Sequence, residues 1–252
     1  FWRAPTDNDF GNGMQKRYVV WKKASNDLVL QKMEVTNIAG EMVAIGKKKL
    51  DGLKVTSTFS MPETEATLIL SYVVGAKGEV IITTNISNIK KGISDLPRFG
   101  NVLKLNGSLS NISWYGRGPQ ENYWDRNTAA LVGLYSNTVS NMLENYVRPQ
   151  ENGYRTDIRN VSLTDKNGKG LLFEGEELLS FSALNYGMEQ FDSGDKRIGH
   201  AYNLKADKDI FLNMDYKQMG VGGDNSWGAR THKEYTLEPK DYSYTYRITP
   251  IK

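Results

Sequence analysis

The chain has 252 residues, of which 39% are hydrophobic and 24% are charged, and its formal net charge is only +3. Basic residues are spread along it except for Lys47, Lys48 and Lys49, which we interpret as a solvated turn or edge strand, so binding to nucleic acid is not predicted. No run approaches the ~20 apolar residues of a membrane-spanning helix, and the absence of cysteine excludes disulfides and thiolate metal sites. A soluble protein without a membrane partner is predicted, in cytoplasm or periplasm.

The chain opens on a stretch of turn-forming residues. RAPTDNDFGNG at residues 3–13 combines one Pro with Gly, Asn and Asp, which predicts a loop. Directly after it, Met14, Tyr18 and Trp21 recur at helical spacing, which predicts a short helix that ends before Asn26. Because the sequence starts at Phe1 inside such a motif, we expect it to be a piece of a longer, multidomain polypeptide.

Two hairpins are predicted in the middle of the chain. Residues 66–74 and 79–86 alternate apolar and polar side chains, and GAKG lies between them. Residues 160–175 repeat this form around Asn167 and Gly168, two residue types that tolerate the positive φ of tight turns.

The alternation continues to the end of the sequence. Residues 242–249 alternate aromatic or aliphatic side chains with polar ones, as expected for a strand with one buried face. Strands and helices do not alternate regularly, which excludes a TIM barrel and a Rossmann sheet. We predict an all-β fold, a large antiparallel β-sandwich formed by residues 1–252 as a single domain.

Four segments differ from these strands because they are dense in Trp, Tyr, Arg, Asn and acidic residues. They are FWRAPTDNDFGNG at 1–13, WYGRGPQENYWDR at 114–126, RPQENGYRTD at 148–157 and GVGGDNSWG at 220–228, called here the first to fourth segments. Aromatic rings, guanidinium groups and short amide or carboxylate arms suit a sugar, which offers apolar faces flanked by hydroxyl groups. The composition of the segments therefore predicts a carbohydrate ligand.

In this order, the four segments resemble the C-terminal domain, or small chain, of the glycoside hydrolase family 2 β-galactosidases. The resemblance covers essentially the whole chain, and strings such as RAPTDND, GRGPQENYWDR and RPQENGYR carry it. It implies the galactose-mutarotase-like supersandwich fold. It also implies that the chain is part of a retaining β-galactosidase, which hydrolyses terminal β-D-galactosyl residues. Its expected partners are the rest of the polypeptide and further copies of the same protein in a homo-oligomer.

The resemblance also implies roles for particular residues. A tryptophan at the position of Trp227 stacks on the leaving-group sugar in the family, so substrate binding is assigned to Trp227, with packing at a sandwich rim as the alternative. The loop equivalent to residues 3–13 opens and closes beside the active site. Arg3, Asp7 and Asn8 are therefore further candidates for substrate binding, whereas anchoring the domain to a preceding barrel is the alternative role of this loop.

The second and third segments are predicted to hold loops in place. Glu121 and Arg126 could form an ion pair. Arg148, Glu151, Asn152 and Arg155 suggest a similar polar network in the third segment. Neither Glu121 nor Glu151 is expected to belong to a catalytic pair.

No catalytic residue is assigned within this chain. A retaining glycosidase needs two carboxyl groups ~5–5.5 Å apart, which spacing alone does not identify here. The family carries both catalytic glutamates, and the magnesium ligands beside them, on a TIM barrel that would precede Phe1, so no cofactor is expected in this chain and the chain alone should be inactive. His200 and His232 are far apart in sequence and form no metal-binding motif.

Two other functions remain open. A stand-alone carbohydrate-binding module would need a complete sugar site within these residues. An aldose 1-epimerase would share the implied fold and would use a general acid and base, usually His and Glu, but the contexts IGHAY and RTHKE do not resemble epimerase motifs.

Overall fold

A computed structural model describes residues 1–42, 49–192, 194, 199–225 and 227–252. The helices are α1 Asp7–Asn12, α2 Met14–Arg17 and α3 Val19–Asn26. The strands are β1 Val29–Met42, β2 Lys49–Met61, β3 Ala66–Gly75, β4 Val80–Ser87, β5 Arg98–Leu105, β6 Asn111–Gly118, β7 Leu131–Thr138, β8 Arg155–Thr164, β9 Gly170–Leu184, β10 Ile210–Gln218 and β11 Tyr242–Ile251. Short 3₁₀ helices lie at Val139–Asn141, Met188–Gln190, Ala201–Asn203 and Lys233–Tyr235.

The strands pair into one antiparallel sheet. Its main path runs β1-β2-β3-β4-β11-β9-β8-β6-β7, and β10 pairs with both β9 and β5 away from this path. The long strand β9 makes this branching possible, because residues 170–175 pair with β11 and residues 180–184 pair with β10. The prediction of an all-β, antiparallel fold is confirmed.

The core forms where β5 and β10 pack across the face of β4 and β11. Although β5 and β11 are not paired, the ring of Phe99 meets that of Tyr244 edge to face, with centroids 5.2 Å apart. The Tyr244 hydroxyl donates to the Met214 carbonyl at 3.0 Å, and Asn101 Nδ2 donates to Thr84 Oγ1 at 2.9 Å. Because these contacts join unpaired strands, two parts of the sheet face each other, and burial of the rings between them stabilises this packing.

Both predicted hairpins are confirmed. Strands β3 and β4 pair from Thr67 with Ser87 to Val74 with Val80. Strands β8 and β9 pair up to Thr164 with Gly170, and the turn between them uses Gly168 at φ +80°. Only the glycine of Asn167-Gly168 takes the positive φ.

The predicted loop at residues 3–13 is wrong in part, because residues 7–12 form α1. Thr6 caps this helix: Asp9 N donates to Thr6 Oγ1 at 3.3 Å, and Thr6 N donates to Asp9 Oδ2 at 2.7 Å. This reciprocal capping starts a helix in spite of the turn-forming composition, and Gly13 ends it at φ +75°.

The predicted helix after residue 13 is confirmed as α2 and α3, but it includes Asn26 and so ends one residue later than predicted. Trp21 and Met14 are fully buried, as the helical spacing of apolar residues implies.

The interpretation of the lysine triplet falls on residues 47 and 48, which lie outside the described residues. In the part of the chain that the structure covers, no helix is long and apolar enough to cross a bilayer.

Candidate functional site

The four segments meet at one end of the sheet. A small apolar cluster contains one buried residue from each of the second, third and fourth segments, namely Tyr123, Tyr154 and Val221. Each of these side chains is at most 6% exposed. Burial of apolar surface therefore holds three segments together that are distant in sequence.

Asp125 of the second segment fixes the backbone of the fourth. Its carboxylate accepts hydrogen bonds from Val221 N at 3.1 Å and from Gly222 N at 2.7 Å. A Cβ atom on Gly220 would lie 2.7 Å from the Asp125 Cγ atom, so only glycine fits there. The start of the fourth segment is thus held by charge-assisted hydrogen bonds.

The first segment joins this cluster through Arg3 and α1. The Arg3 guanidinium is fully buried and binds the Asp9 carboxylate with both terminal nitrogens, at 2.5 and 3.1 Å. It also donates to the Gly220 carbonyl at 3.3 Å. On the other side, Asp7 N donates to Oε1 of Gln150 in the third segment at 3.1 Å. The capped helix α1 is therefore tied to both the third and the fourth segments.

Trp227 stands at the tip of the fourth segment, and its side chain is 91% exposed. The backbone around it is ordered by Asn225, whose Oδ1 accepts from Trp227 N at 2.9 Å and from Ala229 N at 3.4 Å. Asn12 at the end of α1 donates to the Ala229 carbonyl at 3.5 Å. A large aromatic ring is thus presented to solvent on a turn that α1 supports.

A cavity of about 290 Å³ lies beside this turn, between α1–α2 and residues 219–236. Asp9, Arg17, Arg230 and Lys233 contribute charged groups to its wall. Its size is close to the lower end of the ~300–1,000 Å³ of ligand pockets.

His232 closes the base of the Trp227 turn. Its Nε2 atom lies 2.8 Å from Asp224 Oδ1, and its Nδ1 atom lies 3.7 Å from Glu234 Oε1. The hydrogen bond to Asp224, followed by the charges of Asp224 and Glu234, raises the pKa of His232. Because the pair is exposed, it contributes little to stability.

The predicted substrate-binding residues occupy different environments. Trp227 is not packed at a rim within this chain, so that alternative is wrong for the structure described here. Asp7 and Asn8 are half-buried on α1, and Asn8 lies one helical turn before Asn12, on the side that meets the Trp227 turn. Arg3 is inside the protein as the partner of Asp9, and its predicted substrate contact stays a prediction that its burial argues against.

The predicted network of the second segment is present. Arg126 Nη2 donates to Glu121 Oε1 at 3.0 Å, and the other Glu121 oxygen accepts from Gly153 N at 2.9 Å. Tyr146 also binds the Glu121 carboxylate through its hydroxyl. Glu121 therefore connects the second segment to the third, as expected of a structural residue.

The third segment is fixed in the same way. Asn152 exchanges two hydrogen bonds with the backbone of Glu144, at 2.7 and 2.9 Å. Arg155 donates to the Gly153 and Pro119 carbonyls at 2.7 and 3.1 Å. Glu151 binds Arg98 at 2.8 Å. These contacts support the prediction that this segment is structural.

Sequence analysis did not find the buried charge centre at Arg98. Its guanidinium contacts Glu151 at 2.8 Å and Asp215 at 2.9 Å, and all three residues are at most 6% exposed. Burial raises the pKa of Asp215 to about 6, although Arg98 opposes the shift. The polar residues within β5 and β10 could have indicated buried charged groups, but the alternation of residues alone does not tell which of them face inwards.

Among the residues that the structure describes, no three His, Cys, Asp or Glu side chains are grouped so that they could hold a metal ion. Asp9, Asp125, Glu121 and Glu151 are each engaged by arginine or backbone donors. Within the described residues, these four carboxylates are therefore engaged by other donors and do not form a magnesium site.

The chain matches the family model described as "Beta galactosidase small chain" over residues 1–248. It is 33% identical over 252 residues to a β-galactosidase of Priestia megaterium, and 32% identical over 254 residues to one of Streptococcus thermophilus. Each alignment covers 100% of this chain and 23% of the relative. The chain thus spans about a quarter of the length of these relatives.

Solved structures show more distant similarity. The GH36 α-galactosidase AgaB from Geobacillus stearothermophilus aligns with 89% of this chain and 28% of its own, at 8% identity and a TM-score of 0.45. A GalM/aldose epimerase homologue from C. elegans aligns with 88% of this chain and 70% of its own, at 10% identity and a TM-score of 0.39. Because these TM-scores are below 0.5, we describe the fold from the strand pairing of this chain alone.

Proposed function

The chain belongs to the β-galactosidase small-chain family, and we propose that it forms the C-terminal domain of a family 2 β-galactosidase that hydrolyses terminal β-D-galactosyl residues. We also propose that residues 1–252 form one domain with the layers of the supersandwich fold that the resemblance implies. The observation that carries it is Trp227, a 91% exposed ring on a turn fixed by Asn225 and Asn12.

In this proposal, Trp227 forms an aromatic platform for the sugar that leaves. An exposed indole in water costs free energy that a sugar or another domain can recover by covering it. The rest of the polypeptide would bring a TIM barrel against this end of the sheet, so that Trp227 borders the cleft. Asp7 and Asn8 on α1 would supply hydrogen-bonding groups at its mouth, and the first segment would move as the substrate enters.

The chemistry itself would occur outside this chain. A retaining mechanism needs an acid/base and a nucleophile ~5–5.5 Å apart, and the glutamates of the four segments are occupied by structural partners. A magnesium ion, if bound, would be held by the barrel. The same full-length protein is proposed to assemble as a homo-oligomer.

The other two functions are not favoured. An epimerase needs a histidine at a sugar site, whereas His232 is exposed and paired with Asp224, and His200 is exposed and stacks on Tyr202. A stand-alone binding module is not favoured because the relatives that match this chain along its whole length are about four times longer than it.

The test compares the isolated chain with the full-length protein. Both are incubated with a nitrophenyl β-galactoside, and we expect hydrolysis by the full-length protein alone. Polarimetry with fresh α-galactose examines epimerase activity in the same samples. Hydrolysis by the isolated chain, or faster mutarotation, would contradict the proposal.

A further inference from the structure

We propose that the groove around Trp124, Tyr216 and Lys217 is a second carbohydrate-binding site, which takes a neutral oligosaccharide. The groove consists of two neighbouring cavities of about 140 and 240 Å³, and these three residues line both. Together the cavities reach the range of ~300–1,000 Å³ that is typical of ligand pockets. The site is distinct from the Trp227 turn, which lines neither cavity.

A β-bulge in β10 directs consecutive side chains into this groove. Successive residues of a regular strand point to opposite faces, yet Tyr216, Lys217 and Gln218 all line the smaller cavity. The register of β10 against β5 shifts between Asp215 and Lys217, which accounts for the change in direction. Such bulges commonly re-aim side chains beside functional sites.

The aromatic rings of the groove are held in place. Trp124 meets Tyr235 edge to face, with centroids 6.0 Å apart. The Lys217 ammonium lies 4.1 Å from the centroid of Trp124 and 5.6 Å from that of Tyr216. Trp124 and Tyr216 are half-buried, so each keeps some surface for the apolar face of a sugar ring.

Within the described part of the chain, the Gln218 amide nitrogen has no hydrogen-bond acceptor and the Lys217 ammonium has no carboxylate partner. Gln218 is 2% exposed, and its Oε1 accepts from Arg98 at 2.5 and 3.1 Å, whereas its Nε2 has no hydrogen-bond partner. No carboxylate of the described residues lies within ion-pair distance of Lys217, and burial lowers the pKa of Lys217. A buried donor without a partner costs ~1–3 kcal/mol, so the Gln218 amide favours a ligand with oxygen acceptors, and the half-buried Lys217 ammonium can donate to the same ligand.

The charges of the groove favour a neutral ligand. Lys217, Lys233 and Lys240 line it together with Asp157 and Glu238. The acidic groups weaken the attraction of the lysines for an anionic chain, whereas hydroxyl groups can accept from lysine and donate to carboxylate. Rings beside mixed donors and acceptors match a neutral saccharide.

The inference does not rest on the proposed β-galactosidase activity, because none of its residues is assigned to that reaction. The larger cavity does share Lys233 and Thr236 with the 290 Å³ cavity beside the Trp227 turn. The two sites are therefore neighbours, and a glycan held at Trp124 would lie close to the proposed cleft.

The test measures binding of neutral tetrasaccharides to the full-length protein by calorimetry, with cellotetraose, xylotetraose, maltotetraose and galactotetraose as probes. A sulfated heparin tetrasaccharide is included. We expect one neutral probe to bind, and Trp124→Ala to weaken it about tenfold or more. Trp124→Phe is the matched control, and it should keep most of the affinity. If Trp124→Ala does not fold, Lys217→Met, a change at a half-buried residue, takes its place and should weaken binding of the same probe.

Activity on a nitrophenyl galactoside separates this inference from the proposed function. Trp124→Ala should retain that activity, and Trp227→Ala should retain tetrasaccharide binding at Trp124. Failure of every neutral probe to bind, unchanged affinity in both Trp124→Ala and Lys217→Met, or binding of the sulfated probe alone would overturn the inference.

Discussion

Tyr123 and Tyr154 stack with their ring centroids 5.6 Å apart and their planes inclined by 13°. The first ring belongs to the second segment and the other to the third, and Val221 of the fourth segment completes the cluster. Strands β6 and β8 bring these segments to the same end of the sheet. The stacked rings then fix the positions of the loops relative to each other.

Replacement of Tyr123 by alanine should therefore loosen several segments at once. Tyr123 is 1% exposed, and loss of a large buried ring costs ~3–5 kcal/mol of unfolding free energy. Urea unfolding measures this loss. Tyr123→Phe removes the hydroxyl that donates to Glu121 at 3.3 Å and should cost ~1 kcal/mol. Equal losses in the two variants would show that the ring itself contributes little.

Asp125 should control the order of the fourth segment more than global stability. Asp125→Ala leaves Val221 N and Gly222 N without their acceptor, at a cost of ~1–3 kcal/mol. We expect faster hydrogen exchange at these two amides and over residues 220–228. Asp125→Asn keeps one acceptor oxygen and should lie between alanine and the native residue. Exchange that is unchanged in Asp125→Ala would contradict this role.

Trp227 should affect sugar affinity without affecting folding. Because its side chain is 91% exposed, Trp227→Ala should leave the melting temperature of the isolated chain nearly unchanged. In the proposed role, the variant should bind glucose, as acceptor or leaving group, more weakly by ~1–3 kcal/mol. It should also shift the balance between hydrolysis and transfer to glucose. Trp227→Phe should restore part of the affinity. A large fall in melting temperature with unchanged glucose affinity would refute the platform role.

Asp215 should make stability depend on pH in the direction opposite to that of an acid whose pKa is lowered on folding. Its native pKa is about 6 because of burial, whereas an unfolded aspartate titrates near ~3.9. The native state therefore binds more protons between these values, and its contribution is complete below pH ~4 and lost as the pH rises through 6. The loss is about 3 kcal/mol.

The difference between wild type and Asp215→Asn isolates this contribution. Urea unfolding of both proteins from pH 4 to pH 7.5 should show that wild type loses stability relative to the asparagine variant as the pH rises. Parallel pH profiles would mean that Asp215 does not titrate in this window.

The sequence predicted those features that local chemistry determines. The hairpin at Gly168 and the burial of Trp21 follow from turn preference and helical spacing. The exposed position of Trp227 agrees with a glycine-rich turn. Helix α1 was missed because its turn-forming composition hid the reciprocal cap between Thr6 and Asp9. The buried centre at Arg98 could not be predicted, since the bulge in β10 changes which residues face inwards.

The position of β11 links folding to the order of synthesis. This strand lies between β4 and β9 and pairs with both, Tyr242 with Ile86 and Tyr246 with Gly175. On a ribosome, β4 is made long before β11, so its edge stays open while the intervening residues emerge. An open strand edge is a site of wrong pairing, and pairings between distant residues form slowly. Full closure of the sheet must therefore wait for Tyr242–Ile251, and chains interrupted before them should be sensitive to aggregation.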